Sequence, residues 1–271
     1  MQKMFNHTTA DVSYLIEGEG IPLVLLHGFA EDASVWNNQI DFLKKYCKLI
    51  VPHLPGSGSS FFTNENDGSS IEEYAEVIYK LLLHEKIDSC IMLGHSMGGY
   101  ITLAFAEKYS LMLRGFGFIH STAFADSEEK KQNRLKGIAM MEEYGGYAFL
   151  KTTTPNLFAS TFKKEHPDKI EALIEAGKTF STKALQQYYK AMMNRPDRTD
   201  VLTNSNVPVL FVLGTDDVAA PMNDVLKQTH LPKISFIHVL ENTGHMGMWE
   251  NAAKVNDAML EFILDISTQD E

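Results

Sequence analysis

The stretch Ile91-Met-Leu-Gly-His-Ser-Met-Gly-Gly99 places one hydroxyl, Ser96, between an apolar run and a pair of glycines. Small residues stand two positions before and after it, Gly94 and Gly98. A sharp strand-to-helix turn needs that spacing, because its apex is strained and the flanking residues pack against each other. The turn lifts the hydroxyl above the carboxyl edge of a sheet, at a helix N-terminus. A serine nucleophile further requires a base, and an acid to orient the base. Ten histidines are available. His95 lies inside the turn, pointed away from the hydroxyl, and is expected to pack. His238 sits within an apolar strand, and His230 caps the helix before it. His245 follows the last strand in the loop Glu241-Asn-Thr-Gly-His-Met-Gly247, on the edge where ligands of open α/β sheets bind. It is the expected base. Three aspartates could be the acid: Asp216 and Asp217 after the run Leu210–Gly214, and Asp126 after the strand through Ile119. Spacing alone does not choose among them.

These residues need a sheet to bring them to one edge, and the apolar periodicity supplies it. Strands are expected over Val12–Glu17, Pro22–His27, Lys48–Leu54, Ser89–His95, Phe116–Ile119, Val207–Gly214 and Ile234–Leu240. Ser34 is read as the cap of a helix through Trp36, Ile40 and Phe42. Ser70 with Glu73 forms a capping box for a helix through Ala75, Ile78, Leu82 and Leu83. Further helices are expected over Gly98–Tyr109 and about Met248–Ile266, with Asp265–Glu271 as its frayed acidic end. Alternation of strand and helix at these intervals implies an α/β fold, a mostly parallel central sheet flanked by helices.

Residues 124–200 break the alternation. They carry helical stretches at Glu128–Tyr144, Ala148–Lys151, Asn156–Lys164, Pro167–Thr179 and Thr182–Asn194, without a strand. A structureless loop of that length would be unusual. The expected division is a core of 1–123 and 201–271, with 124–200 inserted between two late strands as a helical cap subdomain.

Composition limits the partners. The 271 residues carry 24 Lys and Arg against 35 Asp and Glu, a net charge of −11. Phosphate backbones and anionic membranes are bound by Lys and Arg, so nucleic acid and membrane surfaces are poor partners. Cys47 and Cys90, both beside apolar runs, suit buried thiols in a reducing compartment. The N-terminus lacks an apolar leader-like stretch, and no run reaches the length of a membrane span. A cytoplasmic location is expected, with a homodimer left open. No metal-ligand spacing and no phosphate-binding glycine loop is found, so no metal and no cofactor are expected.

Together the motifs resemble the α/β-hydrolase fold superfamily over nearly the whole chain. His27-Gly28-Phe29 resembles its oxyanion loop, and Trp36 stands where an aromatic commonly follows. His53-Leu-Pro-Gly-Ser-Gly-Ser59 resembles a D-x-P-G-x-G-x-S loop, with His53 in place of the aspartate. Gly94–Gly99 resembles the elbow, and Arg195–Leu202 the return from cap to core. The family's G-x-x-D-x-x-x-P pattern falls on Gly214–Pro221 and selects Asp217. The resemblance thus implies catalysis by Ser96, Asp217 and His245, in the family's chain order, with the backbone N–H groups of Phe29 and Met97 binding the oxyanion. Trp36, Phe124, Met140, Met141, Met192 and Met193 are expected around the substrate. The implied activity is hydrolysis of a small carboxylic ester or related acyl substrate through an acyl-enzyme. A C–C bond hydrolase, an enol-lactonase or a cofactor-free haloperoxidase could use the same residues, and a ligand sensor could retain them.

Overall fold

A computed structural model describes residues 1–64 and 67–268. The described residues form nine strands, β1 (Gln2–Asn6), β2 (Ala10–Glu17), β3 (Pro22–Leu26), β4 (Lys48–Pro52), β5 (Phe61–Phe62), β6 (Cys90–His95), β7 (Leu113–Ile119), β8 (Val209–Gly214) and β9 (Ser235–Leu240). They form one sheet in the order β1-β2-β4-β3-β6-β7-β8-β9, with β5 pairing β2. From β4 to β9 every pairing is parallel, while β1, β2 and β5 pair antiparallel. β1 and β5 lie outside the strands expected from periodicity. β1, Gln-Lys-Met-Phe-Asn, lacks polar–apolar alternation and forms an edge strand with only Phe5 buried, and β5 is two residues long.

The helices are α1 (Asn37–Leu43), α2 (Ile71–His84), α3 (Met97–Tyr109), α4 (Glu128–Tyr144), α5 (Gly146–Thr153), α6 (Ser160–Glu165), α7 (Pro167–Ala176), α8 (Thr182–Asn194), α9 (Thr199–Thr203), α10 (Met222–Leu226), α11 (Gly247–Glu250) and α12 (Ala252–Thr268). Both bonds of the Ser70–Glu73 capping box are present. Ser34 is not a cap. Asp32 is, its carboxylate accepting the Ser34 N–H at 2.8 Å to open a 3-10 turn before α1. The C-terminal helix is also two pieces, broken at Asn251 between α11 and α12. It continues through Thr268, and the rest of the expected frayed end, residues 269–271, lies outside the described residues.

Side chains of the central strands alternate between two cores, as the pleat requires. Val24 and Leu26 of β3 face a cluster with α2 and α3, whereas Leu23 and Leu25 face a cluster with α1 and α12. Cys47 and Cys90 are free thiols, one in each cluster.

Between Ile119 and Val209 the chain is helical, without a strand among the described residues. Phe149, Leu185, Tyr188 and Met192 of this insertion join the first core, and Phe158, Phe162, Ile170 and Ile174 join the second. The register fixes what lies beneath it. Leu26 pairs with Gly94, His95 with Ile119, and Gly214 with Leu240. β3, β6, β7, β8 and β9 therefore discharge at the same edge, where His27–Phe29, Ser96, His120, Asp217 and His245 follow them.

Candidate active site

Ser96 sits between β6 and α3 with φ +50° and ψ −115°, a conformation a non-glycine residue adopts only under constraint. The constraint comes from both sides. A Cβ on Gly94 would lie 2.2 Å from the Gly98 carbonyl, and one on Gly98 would lie 2.2 Å from the Leu26 carbonyl oxygen. The Ser96 N–H donates to Ile119 O at 3.1 Å, and the Ser121 hydroxyl donates to Ser96 O at 2.7 Å. From Cys90 to Ala106, Ser96 is the one residue that is not buried.

His245 presents Nδ1 to Asp217, 3.0 Å from Oδ1 and 2.9 Å from Oδ2. The Asp217 Oδ1 also accepts the N–H groups of Ala219 at 2.8 Å and Ala220 at 2.9 Å. Both residues are buried. Burial opposes charge on each, yet the opposite partner prevails: the Asp217 carboxyl is held well below its usual range, and the His245 imidazole is raised above its own. A carboxylate accepts only, so Nδ1 of His245 carries the proton and Nε2 is free to act as a base.

The other aspartates are placed elsewhere. Asp216 is exposed and receives the Thr215 hydroxyl. Asp126 is buried between Arg134, at 2.5 Å, and Arg195, at 2.8 Å. It ties the first inserted helix to the segment that returns to the sheet.

Three side chains around this pair, His120 and Glu31 buried and Glu250 half-buried, were not singled out by the sequence. His120, the first residue after β7, directs Nδ1 to Asp217 Oδ2 at 3.2 Å. Glu31 accepts the Gly28 N–H at 2.7 Å and faces His95 Nδ1 at 2.9 Å. Burial alone would raise the Glu31 carboxyl, but His95 brings it below the ordinary range. Glu250 accepts the N–H groups of Ala159 at 2.9 Å, Gly244 at 3.0 Å and Met246 at 3.1 Å. His120 stands one residue past a strand, and that position was its available signal. Glu31 and Glu250 had none, because each meets a partner from distant sequence, the His95 ring and the Ala159 N–H.

His95 does more than pack. Its Nε2 donates to the backbone carbonyl of His245 at 2.9 Å, and the two rings lie 4.8 Å apart. His27 fastens the expected oxyanion loop: Nε2 accepts the Leu54 N–H at 2.9 Å, so Nδ1 carries the proton and donates to Gly28 O at 2.9 Å. Burial lowers the His27 imidazole to about 4 and keeps it neutral. His53 accepts the Ala33 N–H at 3.4 Å, again tying this loop to β4.

Phe29 is half-buried, its ring 4.7 Å from Tyr189 and edge-on to Phe149 and Tyr188 of the insertion. Met97 is fully buried as the first residue of α3. The six residues expected around the substrate are not brought together. Trp36 is fully buried in the core beside α1 and α12, edge-on to His95. Met141 and Met192 are buried in the other core, with Met140 packed against it, because these are the inward faces of α4 and α8. Met193, next on α8, is half-buried. Phe124 lines a separate cleft of about 340 Å³ with Arg195, Ala220 and Pro221. A cavity of about 80 Å³ lies instead between the loop Phe29–Glu31 and the inserted residues Leu150, Thr153, Thr154, Leu157, Leu173 and Tyr189.

Comparison with known proteins agrees with this architecture. The alpha/beta hydrolase fold family matches residues 21–141. A thermophilic esterase from Thermogutta terrifontis superposes with a TM-score of 0.90 at 26% identity, covering 98% of this chain and 99% of that one. The (E)-2-((N-methylformamido)methylene)succinate hydrolase of Acinetobacter baylyi is 23% identical, over 95% of each chain. The 2-hydroxy-6-oxononadienedioate/2-hydroxy-6-oxononatrienedioate hydrolase of Paraburkholderia phymatum is 27% identical, over 89% of this chain and 86% of its own. The chain has the α/β-hydrolase fold and is similar to enzymes of that superfamily over nearly its whole length, with serine at the apex of its elbow.

Proposed function

We propose that the protein is a serine hydrolase that cleaves small, uncharged or weakly polar carboxylic esters through an acyl-enzyme. The observation that carries this reading is the pairing of His245 with Asp217 at the same sheet edge as the strained Ser96. In this reading Nε2 of His245 takes the Ser96 proton as Oγ attacks the acyl carbonyl. Asp217 holds the imidazole tautomer and stabilises the imidazolium. The carbonyl oxygen becomes an oxyanion facing the N–H groups of Phe29 and Met97. A donor of that kind is worth about 3 kcal/mol of transition-state stabilisation. His245 then gives its proton to the leaving alkoxide. In the second half a water loses a proton to His245, attacks the acyl carbon and releases the acid, restoring Ser96.

The choice of an uncharged acyl group rests on the cavity beside Phe29. Its lining holds one ionisable acid, Glu31, and neither Lys nor Arg. The two hydrolases compared above are named for a succinate and a dienedioate, both dicarboxylates. An unpaired carboxylate from such a substrate would be buried beside Glu31 without a cation, which is costly. At about 80 Å³ the space suits an acyl chain of a few carbons. The insertion, acting as a cap, forms the roof of this space.

Hydrolysis of p-nitrophenyl acetate and butyrate by the purified protein tests the reading, with fluorophosphonate labelling alongside. Wild-type protein is expected to turn over repeatedly and to be labelled at Ser96. Ser96→Ala should fold normally, escape labelling and lose at least about a thousandfold in kcat. Undiminished turnover by Ser96→Ala would overturn the assignment. A single turnover without release would favour a sensor over an enzyme.

A further inference from the structure

His120 takes no part in the steps above, yet it touches the acid on which they depend. It is 1% exposed and held at φ +52°, a left-handed conformation that histidine enters more readily than most residues. Its Nδ1 lies 3.2 Å from Asp217 Oδ2, the oxygen that His245 Nδ1 approaches at 2.9 Å. Its Nε2 is buried without a hydrogen-bond partner among the described residues and abuts Gly247, where a Cβ would lie 2.1 Å away. We infer that His120 is a positioning residue for the proposed triad, a neutral second donor that fixes Asp217 Oδ2 and moderates how strongly the acid holds the His245 proton.

The tautomer follows from the contacts. Asp217 accepts only, so the single proton of a neutral imidazole belongs on Nδ1. A second proton on Nε2 would be buried against a Cα with no acceptor, and burial lowers the His120 imidazole accordingly. Each donor to Asp217 withdraws charge that would otherwise stabilise the His245 imidazolium. Loss of the His120 donor therefore makes His245 more basic, and the acid limb of activity moves to higher pH. The other ionisable groups around the pair are His95 at the end of β6, with rings 6.3 Å from His120 and 4.8 Å from His245. Glu31 stands behind His95, and Glu250 lies on α11. All three groups are present in every variant compared, so a difference between variants is read against the same charged background.

This inference rests on the serine-hydrolase reading, and its test is separable from that of Ser96. The pH profile of kcat/KM for p-nitrophenyl acetate is measured in wild type, His120→Leu and His120→Asn. Leucine removes the donor. Asparagine offers an N–H near the former Nδ1 and tolerates the left-handed backbone. His120→Leu should move the acid midpoint upward by about half to one pH unit and lower kcat about tenfold. His120→Asn should restore the midpoint. Identical midpoints in all three proteins, or equal displacement in both variants, would overturn the inference and leave His120 a packing residue. A second readout needs no variant to fold: ¹⁵N spectra of the full-length wild type should show His120 protonated at Nδ1 and bare at Nε2 from pH 6 to 9. A proton on Nε2 in that range would overturn it as well. If Ser96→Ala keeps full turnover, the hydrolase reading falls, and the ¹⁵N pattern still reports whether His120 donates to Asp217.

Discussion

The backbone N–H of His245 donates to the carbonyl of Leu157 at 2.6 Å, so the proposed base hangs from the helical insertion. On its other side the His245 carbonyl accepts Nε2 of His95. Glu250 completes the seam by gathering N–H groups from Gly244 and Met246 of the loop and from Ala159 of the insertion. A displacement of residues 157–159 is thereby a displacement of His245. Misplacement of a reacting group by about 1 Å can cost a hundredfold in rate.

The first prediction concerns that seam. Glu250→Gln replaces one accepting oxygen with an amide that faces backbone N–H groups. It should lower stability by about 1–3 kcal/mol, seen as a lower Tm. It should also reduce kcat for p-nitrophenyl acetate about tenfold, more than it raises KM. A lower Tm with unchanged kcat would confine Glu250 to a structural role.

The aspartates provide the second. Asp217→Asn should abolish most turnover with little change in fold, since an amide can orient His245 in the wrong tautomer. Asp216→Asn, at an exposed side chain, should leave both rate and Tm nearly unchanged. Asp126→Asn should behave differently from both. Removing its charge leaves the buried Arg195 and the half-buried Arg134 without their carboxylate partner, at a cost of about 3 kcal/mol in stability. Kinetics and thermal melts on the three variants separate these effects.

The third follows from the electrostatics of His245. Burial alone would lower its imidazole, but Asp217 raises it above 6.5. Catalysis requires the neutral base, so kcat/KM should fall on acidification with a midpoint above 6.5. Stability runs the other way. A raised histidine contributes stability below its unfolded value, and this contribution is lost as pH rises through the folded value. Thermal melts across pH 5 to 9 should show wild type losing its advantage over His245→Gln as activity appears.

The fourth separates cavity from core in the insertion. Leu173→Ala and Leu150→Ala, the latter at a residue shared with the core, should enlarge the space beside Phe29, improving kcat/KM for longer acyl chains relative to acetate. Met141→Ala lies in the core and should cost about 2–5 kcal/mol while leaving the chain-length preference unchanged. A series of p-nitrophenyl esters from acetate to octanoate, with melts of each variant, reads both outcomes. Unaltered profiles in the leucine variants would remove the insertion from substrate selection.

The amino-acid sequence by itself determined the alternating α/β order, the helical character of residues 124–200 and the Ser96 elbow. These are local: a pure apolar run between breakers, a capping box, two glycines flanking a serine. Even Asp217 was reachable through a motif of eight residues, although composition and spacing alone left it level with Asp216 and Asp126. Only the tertiary structure decided the rest. The methionines of α4 and α8 were expected around the substrate, and packing turned Met141 and Met192 into the core. Trp36 went beneath the sheet edge for the same reason. His120, Glu31 and Glu250 gain their roles from partners 97, 64 and 91 positions away, across strands and an insertion. A periodicity records which face of an element is apolar, but not which other element will cover it. Buried polar contacts depend on that second choice, and it is made only when the sheet, its helices and the insertion close together.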